Sequence, residues 1–160
     1  MRKPATPGGP VVRVAGLSLL PKEARRPRLI AAVCRQALKQ KPQGKGPRVE
    51  GEINIVFLAG RAMRGLNRRF LKLERDTDVL AFNHGAAVPG TPPGETPFGD
   101  IYISAAKVRS QAADLGHSPL KETLTLVSHG SLHLLGYDDA TPRQKAVMTR
   151  LEDRILSSLE

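Results

Sequence analysis

The sequence predicts a single compact α/β (α+β) domain in which helices pack against a mixed sheet, and three observations support this fold class. The chain has 160 residues, which suits one domain, and 40% of them are hydrophobic, which is enough for a core. Segments with strand periodicity and segments with helical periodicity both occur, without strict strand–helix–strand alternation. We expect residues 11–160 to form this domain and the basic, Pro/Gly-rich residues 1–10 to form a disordered arm.

The first half of the domain is expected to contain two strands and two helices. Weak alternation of apolar and polar residues predicts a strand near residues 11–17. Helical spacing predicts a helix over residues 27–40, whose apolar face carries Leu29, Ile30, Val33, Cys34 and Leu38. Residues 48–58 alternate as a strand with Ile53, Ile55 and Phe57 on one side. Residues 61–73 are expected to form a short helix.

The second half adds two strands and three helices. Residues 77–82 and 100–104 are expected to be strands, separated by a long Gly/Pro-rich loop over residues 83–99. A helix is expected at about residues 104–115, and a last one over residues 142–158.

The strongest helix signal covers residues 119–135. Ser118 is a good N-terminal cap and Pro119 suits the first helical position. Gly136 can end the helix in a left-handed conformation.

The excess positive charge lies at the N-terminal end of the chain. Residues 1–50 carry 12 of the 25 Lys and Arg residues against 2 acidic ones, whereas residues 51–160 are neutral overall. Such a region attracts nucleic acid or an anionic membrane surface, and a solvated arm that aids solubility is the alternative. No apolar run is long enough for a transmembrane helix, and the N-terminus lacks the apolar segment of a secretory signal. The single Cys34, expected in the core, favours a reducing compartment such as the cytoplasm.

Two histidines on the strongest helix predict a metal site. His129 and His133 are four residues apart, so their side chains lie about 40° apart around the helix axis and about 6 Å apart along it. Gly136 lets the chain turn back, and Asp139 can supply a third ligand from that turn. Nitrogen and oxygen ligands of this kind suit one zinc ion per chain, with a coordination position left for water.

The same segment argues against a metallopeptidase. In the H-E-x-x-H motif the Glu acts as the general base, and here Gly130 stands in its place. Asp138 is a candidate proton acceptor, and a cap of the turn is its alternative role. His117 is expected to position the corner before the strongest helix, and His84 to be solvated. A structural role is favoured for Asp78, and the alternative is that it supports a metal ligand.

Several stretches, taken together, resemble the pattern of one known family. HGSLHLLGYDD at residues 129–139 resembles the signature H-G-x-L-H-L-x-G-Y-D-H. LN at 66–67 with TDVLAF at 77–82 resembles an L-N-…-T-D-V-L-S-F block, and GDI at 99–101 and GHS at 116–118 resemble two further elements. Order and spacing agree from about residue 50 to 155. The chain therefore resembles the YbeY family of endoribonucleases.

The resemblance implies a bacterial rRNA maturation factor. Members are zinc-dependent, single-strand-specific endoribonucleases linked to processing of the small-subunit rRNA 3′ end and to ribosome quality control. It implies a compact α/β domain with the zinc site at a cleft edge. The expected partners are ribosomal RNA and the small ribosomal subunit, and neither DNA nor a membrane is expected as a partner. His129 and His133 correspond to the first two zinc ligands. In the expected mechanism, a metal held by His129, His133 and Asp139 activates a water or polarises a phosphoryl oxygen.

Two positions depart from the family pattern. The third family ligand is His, whereas this chain has Asp139, which is also an acceptable zinc ligand but is expected to alter the metal preference. The family usually has an Arg after the aromatic residue of its L-N-x-x-[YF]-R segment, whereas here Phe70 is followed by Leu71. Nearby cations are candidate substitutes in RNA binding, namely Arg68, Arg69, Lys72 and Arg75.

Two other functions compete with an endoribonuclease. One is a metal-dependent peptidase-like hydrolase, because the ligand spacing resembles that of metzincins. The other is a non-catalytic, ribosome-associated RNA-binding protein, which Leu71 favours.

Overall fold

The computed structural model describes residues 10–41, 51–71, 77–84 and 97–159. These ranges contain four strands and five α-helices in the chain order β1 Val11–Ala15, α1 Pro27–Leu38, β2 Glu52–Leu58, α2 Gly60–Leu66, β3 Val79–Asn83, β4 Pro97–Ser104, α3 Ala105–Leu115, α4 Pro119–Leu134 and α5 Pro142–Ser157. Two 3₁₀ turns lie at Leu17–Leu19 and Lys22–Ala24, and a π-helical turn, Asn67–Leu71, continues α2. The expected arm lies outside the described residues except for Pro10.

The four strands form one mixed sheet in the order β1-β2-β4-β3. β1 and β4 both run parallel to β2, whereas β3 pairs antiparallel to β4 at the edge of the sheet. This arrangement confirms the α/β (α+β) prediction of a mixed sheet packed with helices.

The prediction of a loop over residues 83–99 is wrong at its C-terminal end. β4 begins at Pro97 instead of Asp100, with Pro97 opposite Glu52 and a register irregularity before Ile53. A proline is tolerated there because it is the first residue of the strand. The Gly/Pro-rich composition of this segment predicted a loop where β4 begins.

The core lies between the sheet and helices α1 and α4. Alternate residues of β2 point into it, and Ile53, Ile55 and Phe57 are almost completely buried. Cys34 of α1 is also fully buried, as expected, and burial raises the pKa of its thiol to about 11. Among the described helices, none combines the length and apolar character needed to span a bilayer.

Candidate metal centre

Helix α4 packs very closely against the sheet at Gly130. A Cβ atom at this position would lie 2.6 Å from Cγ2 of Ile101 and 3.0 Å from Cγ1 of Val79, closer than van der Waals contact allows. Gly130 therefore faces β3 and β4, and a larger residue there meets the sheet. The close packing on the sheet leaves no room here for the glutamate side chain of the H-E-x-x-H motif.

The C-terminal end of α4 turns the chain back towards its own histidines. Gly136 has φ +96°, a left-handed conformation that favours glycine. The N–H of Gly136 donates to the carbonyl of His133, and the N–H of Tyr137 donates to the carbonyl of Leu132. These two bonds form a Schellman motif, which ends the helix and directs the following residues, including Asp139, towards His129.

Three side chains converge at this turn. Nε2 of His129 lies 3.1 Å from Nε2 of His133 and 3.2 Å from Oδ2 of Asp139. Nε2 of His133 lies 3.9 Å from Oδ1 of Asp139. Within the described ranges, these residues form a group whose ligand atoms all lie within 4.8 Å of one another, and all three are partly exposed. The structure thus brings together the three residues that the sequence predicted.

The spacing of these atoms fits a divalent metal ion. Two ligands of a tetrahedral zinc ion, each about 2.0–2.1 Å from it, lie about 3.3 Å apart. The separations of 3.1 Å between the two Nε2 atoms and 3.2 Å between Nε2 of His129 and Oδ2 of Asp139 are close to that value. The 3.9 Å separation from Nε2 of His133 is to the other carboxylate oxygen, Oδ1. Two imidazole nitrogens and a carboxylate oxygen are also a donor set that zinc accepts, so this group can hold a metal ion.

The other ring nitrogen of each histidine is held by a hydrogen bond. Nδ1 of His129 lies 2.6 Å from Oε2 of Glu152 on α5, and Nδ1 of His133 lies 2.9 Å from the carbonyl oxygen of Tyr137. Both partners accept hydrogen bonds, so each Nδ1 donates its proton to them and each ring turns its Nε2 towards Asp139 and the other histidine. Glu152 is 8% exposed, and its position follows from α5 packing against α4.

The two histidines have opposite pKa shifts. Burial lowers the pKa of His129, but the hydrogen bond and charge of Glu152, together with the charges of Asp139 and Asp78, raise it above its ordinary value overall. Burial and then the neighbouring His129 lower the pKa of His133. Negative charge therefore gathers around His129, which is the environment that a cation at Nε2 favours.

The other candidate residues lie at the turn and on the π-helical segment. Oδ1 of Asp138 accepts a hydrogen bond from the backbone N–H of Asp139, so Asp138 caps the turn. Arg68 and Arg69 are exposed on the π-helical turn, which ends at Leu71. Lys72 and Arg75 lie outside the described residues.

The remaining histidines pair with carboxylates. Nε2 of His117 lies 2.6 Å from Oε1 of the buried Glu122, at the corner before α4, and burial raises the pKa of Glu122 although His117 opposes the shift. Nε2 of His84 lies 2.9 Å from Oδ2 of Asp100, so this side chain has a partner that the sequence reasoning missed.

Asp78 also has a structural partner, because its Oδ2 accepts a hydrogen bond from Gln111 of α3. The larger omission of the sequence reasoning is Glu152. Glu152 is 23 residues from His129 in the chain and belongs to no recognisable motif. The one signal that could have found it is its position on the apolar side of α5, four residues after the buried Met148.

Comparison with known proteins assigns the family. The sequence model of the family described as "Endoribonuclease YbeY" matches residues 21–160. The chain belongs to the endoribonuclease YbeY family. A protein named Endoribonuclease YbeY from Elusimicrobium minutum is 35% identical over 147 residues, covering 91% of this chain and 97% of that protein. One of the same name from Desulforamulus reducens is 37% identical over 134 residues, covering 82% and 85%.

A solved structure supports the same fold. The solution structure of a protein from Thermotoga maritima superposes with a TM-score of 0.56 at 20% identity, covering 93% of this chain and 91% of that one. The YbeY match includes α4, the turn after it and α5, which together build the metal centre. It begins after β1, so the first strand lies outside the matched region.

Proposed function

We propose that this chain is a zinc-dependent, single-strand-specific endoribonuclease that matures ribosomal RNA at the 3′ end of the small-subunit rRNA and serves ribosome quality control. Membership of the endoribonuclease YbeY family supports the endoribonuclease activity and an RNA substrate. The partner in this proposal is the small ribosomal subunit rather than DNA or a membrane, and the compartment is the cytoplasm.

The observation that carries the proposal is the convergence of His129, His133 and Asp139 on one point. Both imidazoles are already oriented with Nε2 towards this point, because Glu152 and the Tyr137 carbonyl accept from the two Nδ1–H groups. Three protein ligands leave one tetrahedral position open, which is typical of catalytic zinc sites rather than structural ones.

Each residue has a separate part in the proposed reaction. When bound, the zinc ion supplies a Lewis acid that can polarise a phosphoryl oxygen and acidify a water. His129, His133 and Asp139 hold it. Asp138 is the proposed proton acceptor, through the carboxylate oxygen Oδ2, because its Oδ1 already accepts from the backbone of Asp139.

Cations on the π-helical segment are proposed to bind the RNA backbone. Arg68 and Arg69 are exposed there. Lys72 and Arg75 follow closely in the sequence and are proposed as further RNA-binding residues. Guanidinium groups offset the charge of a phosphate and its transition state. Residues 1–10 and the basic region around α1 are proposed to add non-specific attraction to ribosomal RNA, with residues 11–160 as the catalytic domain.

The proposal is tested by RNA cleavage with and without metal. Single-stranded oligoribonucleotides should be cut by the zinc-loaded chain, spared after complete removal of metal by a chelator, and spared by the His133→Ala variant. Cells that carry only this variant should accumulate small-subunit rRNA precursor with an unprocessed 3′ end. Cleavage that persists without metal, or in His133→Ala, contradicts the proposed mechanism.

The position of Leu71 favours a second candidate, a protein that binds ribosomal RNA without cutting it. The resemblance places an Arg in family members where this chain has Leu71. The Leu71→Arg variant separates the two candidates. A slow wild-type nuclease that becomes faster in Leu71→Arg supports the first, whereas RNA binding with no cleavage in either protein supports the second.

A further inference from the structure

The aromatic residues of this chain are few and unevenly placed. The sequence contains four Phe, two Tyr and no Trp. Phe57 and Phe98 are buried in the core. Three of the other four gather at one place on the surface, and we name them the aromatic cluster: Phe70, Phe82 and Tyr102.

Cross-strand register places two members of the cluster on the same face of the sheet. Tyr102 of β4 lies opposite Leu80 of β3, and Phe82 of β3 lies opposite Asp100 of β4, so the two rings are diagonal neighbours. Their centroids are 5.9 Å apart with the planes tilted by 70°. Ile101, between Asp100 and Tyr102, points to the other face, where it meets α4.

The third ring comes from the π-helical turn. Phe70 approaches Phe82 edge-to-face, with ring centroids 5.5 Å apart, and yet 57% of Phe70 is exposed. π-Helical turns are rare and often occur at functional sites. An exposed phenylalanine gains little of the free energy that burial of apolar surface supplies. A role in folding alone therefore explains Phe70 poorly.

Positive charge lies directly beside the exposed ring. The guanidinium carbon of Arg69 is 5.9 Å from the centroid of Phe70, within the range of a cation–π interaction. Arg69 is itself exposed. An aromatic face next to an arginine suits an unpaired nucleotide, since the base has a π-face and its phosphate is an anion.

The edge strand links this cluster to the metal centre. Phe82 is followed by Asn83, whose side-chain amide donates to the carbonyl of Leu134, the residue after His133. Side chains alternate along a strand, so Phe82 and Asn83 point to opposite faces of β3. A single strand of RNA that crosses this edge can therefore reach both places.

We propose that the aromatic cluster stacks a base of single-stranded RNA, with Phe70 as the platform and Arg69 on the adjacent phosphate. This inference rests on the proposed endoribonuclease function and adds how the RNA is recognised. Bases in a duplex are already stacked on each other and cannot lie on Phe70, so the cluster selects unpaired nucleotides. Such stacking tolerates any base, because every base has a π-face.

The lack of tryptophan makes a direct test available. Phe70→Trp places the only Trp of the chain in the cluster, where a stacked base quenches its fluorescence. Leu115→Trp is the matched control, because Leu115 is 65% exposed at the end of α3 and belongs to neither the cluster nor the metal centre. Both proteins are titrated, with a chelator present, with a single-stranded oligoribonucleotide and with an abasic oligomer of equal length and charge.

We expect the oligoribonucleotide to quench Phe70→Trp and to leave Leu115→Trp unchanged, and the abasic oligomer to quench neither. Phe70→Leu, which keeps an apolar side chain but removes the ring, should weaken binding of the base-containing RNA by roughly fivefold to a hundredfold. Its affinity for the abasic oligomer should not change. Arg69→Gln should weaken binding to both oligomers.

Two results overturn the inference. One is equal affinity of the wild-type chain for the base-containing and abasic oligomers, which would mean that only phosphates are bound. The other is an affinity for the base-containing RNA that does not differ between the wild-type chain and Phe70→Leu, whether both bind RNA or neither does. Because these measurements need no metal and no cleavage, an inactive but base-stacking protein contradicts the proposed nuclease activity and leaves this inference standing.

Discussion

The metal centre and the aromatic cluster lie on opposite faces of the same sheet edge and are built in opposite ways. In the metal centre, the imidazoles of His129 and His133 are each fixed by a hydrogen bond to a partner, Glu152 or the Tyr137 carbonyl. In the aromatic cluster, the outermost ring is more than half exposed and meets Phe82 edge-to-face.

This difference corresponds to two physical tasks. A metal ligand must hold its coordinating nitrogen in place, so it needs a hydrogen-bond acceptor that fixes the other ring nitrogen. A stacking surface must accept different bases, so it needs an open and apolar face. Changes at one place are therefore expected to leave the function of the other intact.

Among variants that keep all three candidate ligands, the largest effect on zinc affinity is expected from Glu152→Gln. The neutral amide weakens the hold on Nδ1 of His129 and can donate to it, which favours the tautomer with the proton on Nε2, where no metal can bind. We expect zinc affinity, measured by competition with a chelator, to fall by about 10- to 100-fold. Metal-free RNA affinity should stay within about twofold.

Asp153→Asn is the matched control for this variant. Asp153 is the next residue on α5 and is exposed, so the change has the same chemistry without reaching His129. Equal zinc affinity in Glu152→Gln and Asp153→Asn would mean that Glu152 only joins two helices. Ring ¹⁵N shifts of the metal-free wild-type chain give a second check, because they should report a proton on Nδ1 of His129.

Asp139→His should change which metal is preferred. Imidazole suits zinc, whereas carboxylate oxygen suits harder ions such as manganese. We expect the ratio of zinc to manganese affinity to rise by on the order of tenfold in Asp139→His. Parallel titrations of both proteins with both metals measure this ratio, and an unchanged ratio would remove Asp139 from the ligand set.

Gly130→Ala should weaken the support of the metal centre by destabilising the fold. Its methyl group meets Ile101 and Val79, which costs about 1–3 kcal/mol, while the better helix former returns about 1 kcal/mol. We expect the free energy of unfolding to fall by about 1 kcal/mol or slightly more in a urea titration.

Gly65→Ala provides the opposite control for this prediction. A Cβ at Gly65, in α2, has no neighbouring atom within 4 Å, so this variant should gain up to about 1 kcal/mol. If Gly130→Ala also gains stability, α4 does not pack on Ile101 and Val79 closely enough to exclude a methyl group.

The smallest effect is expected from deletion of residues 1–10, which include none of the residues assigned to the metal centre or the aromatic cluster. The deletion removes Arg2 and Lys3, and each cation that contacts single-stranded RNA adds about 0.7 to the slope of log affinity against log salt. We expect that slope to fall by up to about 1.4, with unchanged metal content. Equal RNA affinity of both forms at low salt would reduce the arm to an aid to solubility.

Local signals in the sequence were sufficient to predict the group of three candidate ligands that the structure brings together. His129, His133, Gly136 and Asp139 lie within eleven residues, and helix geometry plus one left-handed glycine determine how they meet. The caps of α4 were likewise predicted correctly, because Ser118 accepts a hydrogen bond from the backbone of Lys121. Such contacts depend only on residues close in the chain.

Contacts between distant segments could not be predicted in this way. Glu152 reaches His129 only because α5 packs on α4, and the pairing of His84 with Asp100 depends on the antiparallel register of β3 and β4. The aromatic cluster likewise needs both that register and the π-helical turn. A strand's register is set by packing of the whole sheet, which a single sequence does not display.

The most direct test of the metal centre is a zinc titration of the metal-free, full-length chain. We predict one zinc ion per chain, with binding abolished in His129→Ala and in His133→Ala while both variants keep the helical circular dichroism of the wild type. Binding of no zinc by the wild-type chain, or undiminished binding by both variants, would contradict the assignment of this site.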